Sequence, residues 1–92
     1  MIKTIKHKGL RQFYEIGTRR GINTQWANRL RDILFFLDAS ASPEDMNISG
    51  LNFHALRGNY DGFYAVSVTG NWRIVFTFED GNATDVDLVD YH

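Results

Sequence analysis

The sequence contains no cysteine and a single proline, Pro43. The first absence excludes disulfides and thiolate metal sites, and it suits a reducing compartment. Long apolar runs are missing too: the longest, Ile33 to Leu37, has five residues. A membrane-spanning helix needs about 20, so no membrane association is expected. Lys3, Lys6 and Lys8 break up any apolar stretch near the N-terminus, and no signal peptide is expected there. No internal repeat, low-complexity tract, phosphate-binding glycine loop or nucleophile elbow occurs. The expectation is a cytoplasmic protein.

What is present is enough for one core. The chain has 92 residues, 43% of them hydrophobic, with seven Phe, four Tyr and two Trp, which argues against disorder. One domain spanning residues 1–92 is expected. Net charge is −1, but it is unevenly spread. Residues 1–31 carry eight Lys or Arg against Glu15 alone, for +7, and residues 32–92 carry two Arg against ten acids, for −8. The basic first third is either a face for RNA, DNA or an acidic partner, or a solvated helical surface. Arg57 and Arg73 are the only cations of the acidic part, and isolated arginines there call for a reason.

The periodicity predicts an α+β fold in the order β-α-α-β-β-β-β. MIKTI alternates as a short strand. Leu10, Phe13, Tyr14 and Gly17 follow at helical spacing, with Gly17 or Gly21 able to end the helix in a left-handed conformation. A second helix opens near Asn23 or Thr24, either of which can cap it. Its stripe is Trp26, Leu30, Ile33, Leu34 and Leu37, leaving Arg29, Arg31 and Asp32 outside. Ser42 to Asp45 reads as a short helical turn with Pro43 at its first position.

From Asn52 the pattern is strand and turn. A three-residue loop, Thr69 to Asn71, pairs Val68 with Trp72, Val66 with Ile74 and Tyr64 with Phe76. A second three-residue loop, Asp80 to Asn82, pairs Phe76 with Val86 and Ile74 with Leu88, and a bulge is expected. A two-residue Asp-Gly turn would oppose Phe76 to Asp85 and mix the faces. The chosen register sets Arg73 opposite Val89, with Tyr91 diagonal to it at about 7–8 Å between backbones. Both helices must cover the apolar face. The other face then displays Ser67, Arg73 and Tyr91, with His92 beside them.

His54 and Arg57 flank a strand end, before Gly58, which permits a tight turn. Histidine transfers protons near neutral pH, and arginine holds anions through paired hydrogen bonds. With Arg73, Tyr91 and His92 they could serve phosphodiester cleavage in RNA, which needs a base for the 2′-hydroxyl, an acid for the leaving 5′-oxygen and positive charge for the phosphorane. An aromatic ring that stacks a splayed base is a common addition. Taken singly, each residue has a plainer reading: a surface histidine, an arginine paired with Asp61 or another acid, a packing tyrosine. A three-histidine metal site from His7, His54 and His92 has no ligand motif behind it.

Three stretches, "MIKTIKHKGLRQFYE", "FHALRGNYDGFYAVSVTGNWRIVFTF" and the terminal "DYH", closely resemble the HigB toxins, which belong to the RelE-type toxins of bacterial toxin–antitoxin systems. The resemblance covers essentially the whole chain. It implies helices on one face of a mostly antiparallel sheet and an active site on the other. It also implies a ribosome-dependent mRNA interferase: an endoribonuclease that cuts messenger RNA in the ribosomal A site, inhibits translation and uses no metal or other cofactor. The implied partners are mRNA, the ribosome and a helix-turn-helix antitoxin, with operator DNA reached only through the antitoxin complex. The family's active-site positions map onto His54, Arg57, Arg73, Asp90, Tyr91 and His92. His92 or His54 would move protons, Arg57 and Arg73 would stabilise phosphate charge, and Tyr91 would stack on or orient the nucleotide. Asp90 would orient a histidine.

Similar toxins often have lysine at position 57. Arginine stays protonated, so Arg57 is an electrostatic stabiliser and not a base. Ribosome docking would fall to Lys3, Lys6, Lys8, Arg11, Arg19 and Arg20. Two other functions fit the same residues: a catalytically weak subunit that binds the antitoxin and tunes operator binding, and a ribosome-independent RNase.

Overall fold

A computed structural model of the chain describes residues 1–91. Helix α1 (Lys8–Ile16) and helix α2 (Ala27–Ala39) precede four strands: β1 (His54–Ala55), β2 (Tyr64–Thr69), β3 (Trp72–Glu79) and β4 (Asn82–Asp90). The sheet runs β1-β2-β3-β4, antiparallel throughout. This is an α+β fold with both helices on one face of the sheet, as the pattern predicts. The expected first strand is reduced to two parallel bridges on β4, Ile2 to Ala83 and Ile5 to Val86.

The helix ends follow from particular residues. His7 starts α1 by accepting the Leu10 N–H on Nδ1 at 3.0 Å. Gly17 ends it at φ 77°, a conformation that costs glycine little. Asn23 caps a single 3₁₀ turn, Thr24–Trp26, that leads into α2. Ser42 and Asp45 form a capping box around Pro43, which starts a second 3₁₀ turn. The segment between the helices is pressed against α1, because Gly9 and Gly21 touch backbone to backbone.

The principal core lies between helices and sheet. Leu30, Ile33, Leu34 and Leu37 of α2 pack with Leu10 of α1 and with Val66, Ile74, Phe76, Val86 and Leu88 of the sheet. Phe76 has no exposed surface, and burying a side chain of that size contributes roughly 1.5–3 kcal/mol. Val66 pairs with Ile74, Tyr64 with Phe76, Ile74 with Leu88 and Arg73 with Val89, all as expected.

Both hairpin tips differ from the expected ones. Thr69, not Val68, pairs with Trp72, so the first loop has two residues, Gly70 and Asn71, and the ladder bulges between Ser67 and Thr69. At the second tip Glu79 pairs with Asn82, leaving the Asp-Gly turn that the face-matching rule disfavours. Asp80 and Gly81 have φ 54° and 79°, the double positive φ of hairpin turns that match strand twist. The mixing of faces is avoided because Asp85, at φ 51°, is an extra residue in β4 that restores the Ile74–Leu88 register.

Candidate active site

Strand alternation brings the candidate residues together on the face away from the helices. Ser67 pairs with Arg73 and Arg73 with Val89, and Tyr91 continues that face of β4. The Tyr91 N–H donates to the Asn71 carbonyl at 2.8 Å, tying Tyr91 to the β2–β3 turn. His54 pairs with Ala65 and so lies on the same face, two strands from Arg73. At a strand spacing of about 4.8 Å and about 3.4 Å per residue, their backbones are roughly 12 Å apart, within combined side-chain reach.

This face is less open than the sequence suggests. Buried Leu56, Ala65 and Val75 form a second small core there, against which Tyr60, Phe63, Val89 and Tyr91 pack. The β1–β2 loop supplies Tyr60 and Phe63, and it folds back over the sheet. Arg57 opens that loop and is exposed, and Gly58, at φ 67°, makes the turn after it. Asp90 pairs with Trp72, so alternation assigns it to the helix side of β4, at an exposed position. His92 lies outside the described residues.

Arg73 is half-buried and tightly held. Its Nη1 donates to the Gly70 carbonyl at 2.6 Å and to the Trp72 carbonyl at 3.1 Å. Its Nε is buried and has no hydrogen-bond partner among the described residues. An unanswered buried donor costs about 1–3 kcal/mol. With Nη1 committed to the turn and Nε buried, Nη2 is the guanidinium nitrogen left to meet an anion.

His54 Nδ1 lies 3.0 Å from the Asn52 carbonyl. A carbonyl only accepts, so Nδ1 carries the proton and Nε2 of the neutral ring holds the lone pair that a general base needs. Asn52 adopts φ 54°, and the Leu51 carbonyl accepts the Ser67 N–H at 2.8 Å. Both features fix the approach to β1.

The sequence reading missed Arg29. Its Nη2 donates to the Ser67 carbonyl at 2.9 Å and the Gly50 carbonyl at 2.8 Å, joining α2, the approach to β1 and the residue paired with Arg73. Only its position outside the apolar stripe of α2 hinted at a polar role. The six basic residues assigned to docking are dispersed. Lys3 and Arg11 border a groove beside Ile2 and Tyr14, Lys6 Nζ stands 5.9 Å above the Phe63 ring, and Lys8 opens α1. Arg19 and Arg20 lie in the segment that joins the helices. His7 is occupied as a helix cap. Among the described residues, no cluster of three His, Asp or Glu side chains could hold a metal ion.

Residues 3–92 match the HigB-like toxin family, described as the RelE-like toxin of the type II toxin–antitoxin system HigB. The chain belongs to the HigB family of toxins. It is 36% identical over 92 residues to "Endoribonuclease HigB" of Proteus vulgaris, covering the whole of both chains. It is also 36% identical over 90 residues to "Toxin HigB-1" of Vibrio cholerae serotype O1 (strain ATCC 39315 / El Tor Inaba N16961), covering 96% of this chain and 95% of that one. Membership in this family implies an antitoxin partner. Among the described residues no helix is long and apolar enough to cross a membrane.

Proposed function

We propose that this toxin is an endoribonuclease that cleaves messenger RNA in the ribosomal A site by attack of the RNA's own 2′-hydroxyl. The reading rests chiefly on Arg73, whose guanidinium is held by the Gly70 and Trp72 carbonyls on the sheet face away from the helices, a fixed positive charge that suits a substrate phosphate. The name of the Proteus vulgaris relative supports the reaction class. In this mechanism a base takes the 2′-hydroxyl proton, the 2′-oxygen attacks phosphorus, and the 5′-oxygen leaves with a proton from an acid. The products are a 2′,3′-cyclic phosphate and a 5′-hydroxyl, and no metal is required.

His54 Nε2 is the proposed base, and His92 is the proposed acid. Arg73 and Arg57 stabilise the charge that builds on the phosphorane oxygens. Tyr91 supplies a ring against which a splayed base stacks. Asp90 flanks this group and influences it through its charge. Lys3, Lys6, Lys8, Arg11, Arg19 and Arg20 provide the phosphate-directed contacts to the ribosome. In the cytoplasm the toxin is held by a helix-turn-helix antitoxin, and it meets operator DNA only through that complex.

The test is cleavage of a defined messenger RNA by the purified protein, with and without programmed ribosomes, reading the chemistry of the new ends. Cutting only on ribosomes, with cyclic phosphate ends, is expected. Cutting of free RNA would make the protein an autonomous nuclease. A folded protein that cuts in neither case would be a subunit that binds the antitoxin and tunes operator binding.

A further inference from the structure

A groove of about 370 Å³ runs between α1 and α2, on the layer opposite Arg73 and Tyr91. From α2 it takes Arg31, Leu34, Phe35 and Asp38, which share one helical face, and from α1 it takes Phe13 and Tyr14. Phe35 is 70% exposed although it belongs to the longest apolar run of the chain. Among the described residues, the one aromatic partner of its ring is the neighbouring Phe36, edge-on at 5.9 Å. A large aromatic held in water beside an apolar recess marks an interaction surface.

The charges at the groove indicate the occupant. Asp38 is the only acid among the lining residues, and its Oδ1 already accepts from the Tyr14 hydroxyl and the Ile2 N–H, each at 2.8 Å. The cations are Arg31, from α2, and Arg19, from the segment that joins the helices. A second copy of the chain, related by a two-fold axis, would bring these cations against one another. Nucleic acid would answer the cations but leave the apolar floor at Leu34 and Phe13 unmatched. An amphipathic helix with apolar residues on its docked face and acids on its flanks satisfies both. The lining residues of α2 span eight positions, Arg31 to Asp38, about two helical turns, which sets the length of the docked segment.

We propose that this groove is the docking site for an acidic amphipathic helix of the antitoxin. This rests on the toxin–antitoxin reading, though not on the nuclease assignment. The test measures binding of full-length antitoxin to wild-type protein and to the variants Phe35→Asp and Arg31→Glu, beside ribosome-dependent cleavage and the mass of the free toxin in sedimentation. Both side chains are exposed, so both variants are expected to fold, and thermal melts check this. Each should bind at least about tenfold more weakly, as expected for an interface anchor, with cleavage unchanged. An Asp or Glu of the antitoxin changed to Lys should restore binding to Arg31→Glu alone.

Antitoxin binding that is unchanged in both variants overturns the proposal. Lost cleavage with intact antitoxin binding would assign the groove to the ribosome and also overturn it. So would a change in the mass of the free toxin, which would make the groove an interface between copies. If wild-type protein cuts no RNA yet binds antitoxin through Phe35 and Arg31, the nuclease reading fails and the docking site stands.

Discussion

The ring of Tyr60 stands edge-on to that of Tyr91, with 6.0 Å between centroids and 71° between planes. This contact joins the loop that begins at Arg57 to the end of β4, so two parts of the proposed site share one packing interaction. Tyr60→Ala should lower stability by more than about 1 kcal/mol, since an aromatic pair contributes that much beyond the burial of the ring and Tyr60 also packs edge-on to Phe63. It should also slow cleavage, because the Arg57 loop loses its anchor. Tyr60→Phe keeps the ring and should leave both quantities near normal. Urea denaturation and single-turnover cleavage read the two effects. Normal cleavage by a folded Tyr60→Ala protein would separate the loop from the chemistry.

Arg73→Ala should remove about 2–4 kcal/mol of transition-state stabilisation, typical for a charge-stabilising donor. Arg73→Lys should recover little of this, because an ammonium lacks the planar fork that holds the Gly70 carbonyl with one nitrogen and leaves another for phosphate. Single-turnover rates on ribosomes compare the three proteins. A lysine variant as fast as wild type would reduce the role of Arg73 to charge alone.

Gly9→Ala should destabilise the fold by about 1–3 kcal/mol, as overpacking does. A methyl group there would be driven into the Gly21 carbonyl, which is backbone and has no side-chain freedom with which to yield. Chemical denaturation gives the shift, and an unchanged midpoint would mean that the segment joining the helices adjusts freely.

Stability should fall at both pH extremes for a shared reason. The Ile2 N–H, aided by the Tyr14 hydroxyl and the N-terminal ammonium, holds the Asp38 carboxyl below its usual range, against the opposing effect of burial. A depressed carboxyl stabilises the fold above its unfolded pKa, and that contribution is lost as pH falls through the folded value. Burial, then the bond to Asp38, pushes Tyr14 from 10.0 up to about 12. A raised phenol stabilises the fold below pH 10, and the loss runs as pH rises from there toward 12. Asp38→Asn should flatten the acid limb and shrink the alkaline one. Melting temperatures across pH measure both, and an acid limb unchanged in the variant would show that another carboxyl controls it.

Local chemistry explains what the sequence made legible. Gly17, Asn23 and Pro43 act within one turn of the chain, and the α2 stripe is read directly from its spacing. The face shared by Arg73, Val89 and Tyr91 was also legible, because strand alternation is strict once one pair is known. The hairpin tips were not. Counting residues cannot reveal that the bulge at Asp85 compensates for a short turn, since an aspartate at φ 51° carries no sequence mark. Arg29 was hidden for a different reason: it bonds a carbonyl 38 residues away, and carbonyls are identical in every sequence. The cover over the site was hidden likewise, because nothing local in "NYDGFY" says that Tyr60 will reach Tyr91.

The N-terminal segment has a consequence for solubility. It answers outward-facing groups of β4 through Lys3 to Ala83 and Lys6 to Val86, while the Asp87 carboxylate accepts the Leu88 N–H at 2.9 Å. The opposite border of the sheet, β1, is only two residues long. Such borders give another chain little backbone on which to extend the sheet. A free copy, separated from any partner, therefore has few places from which a fibril could grow.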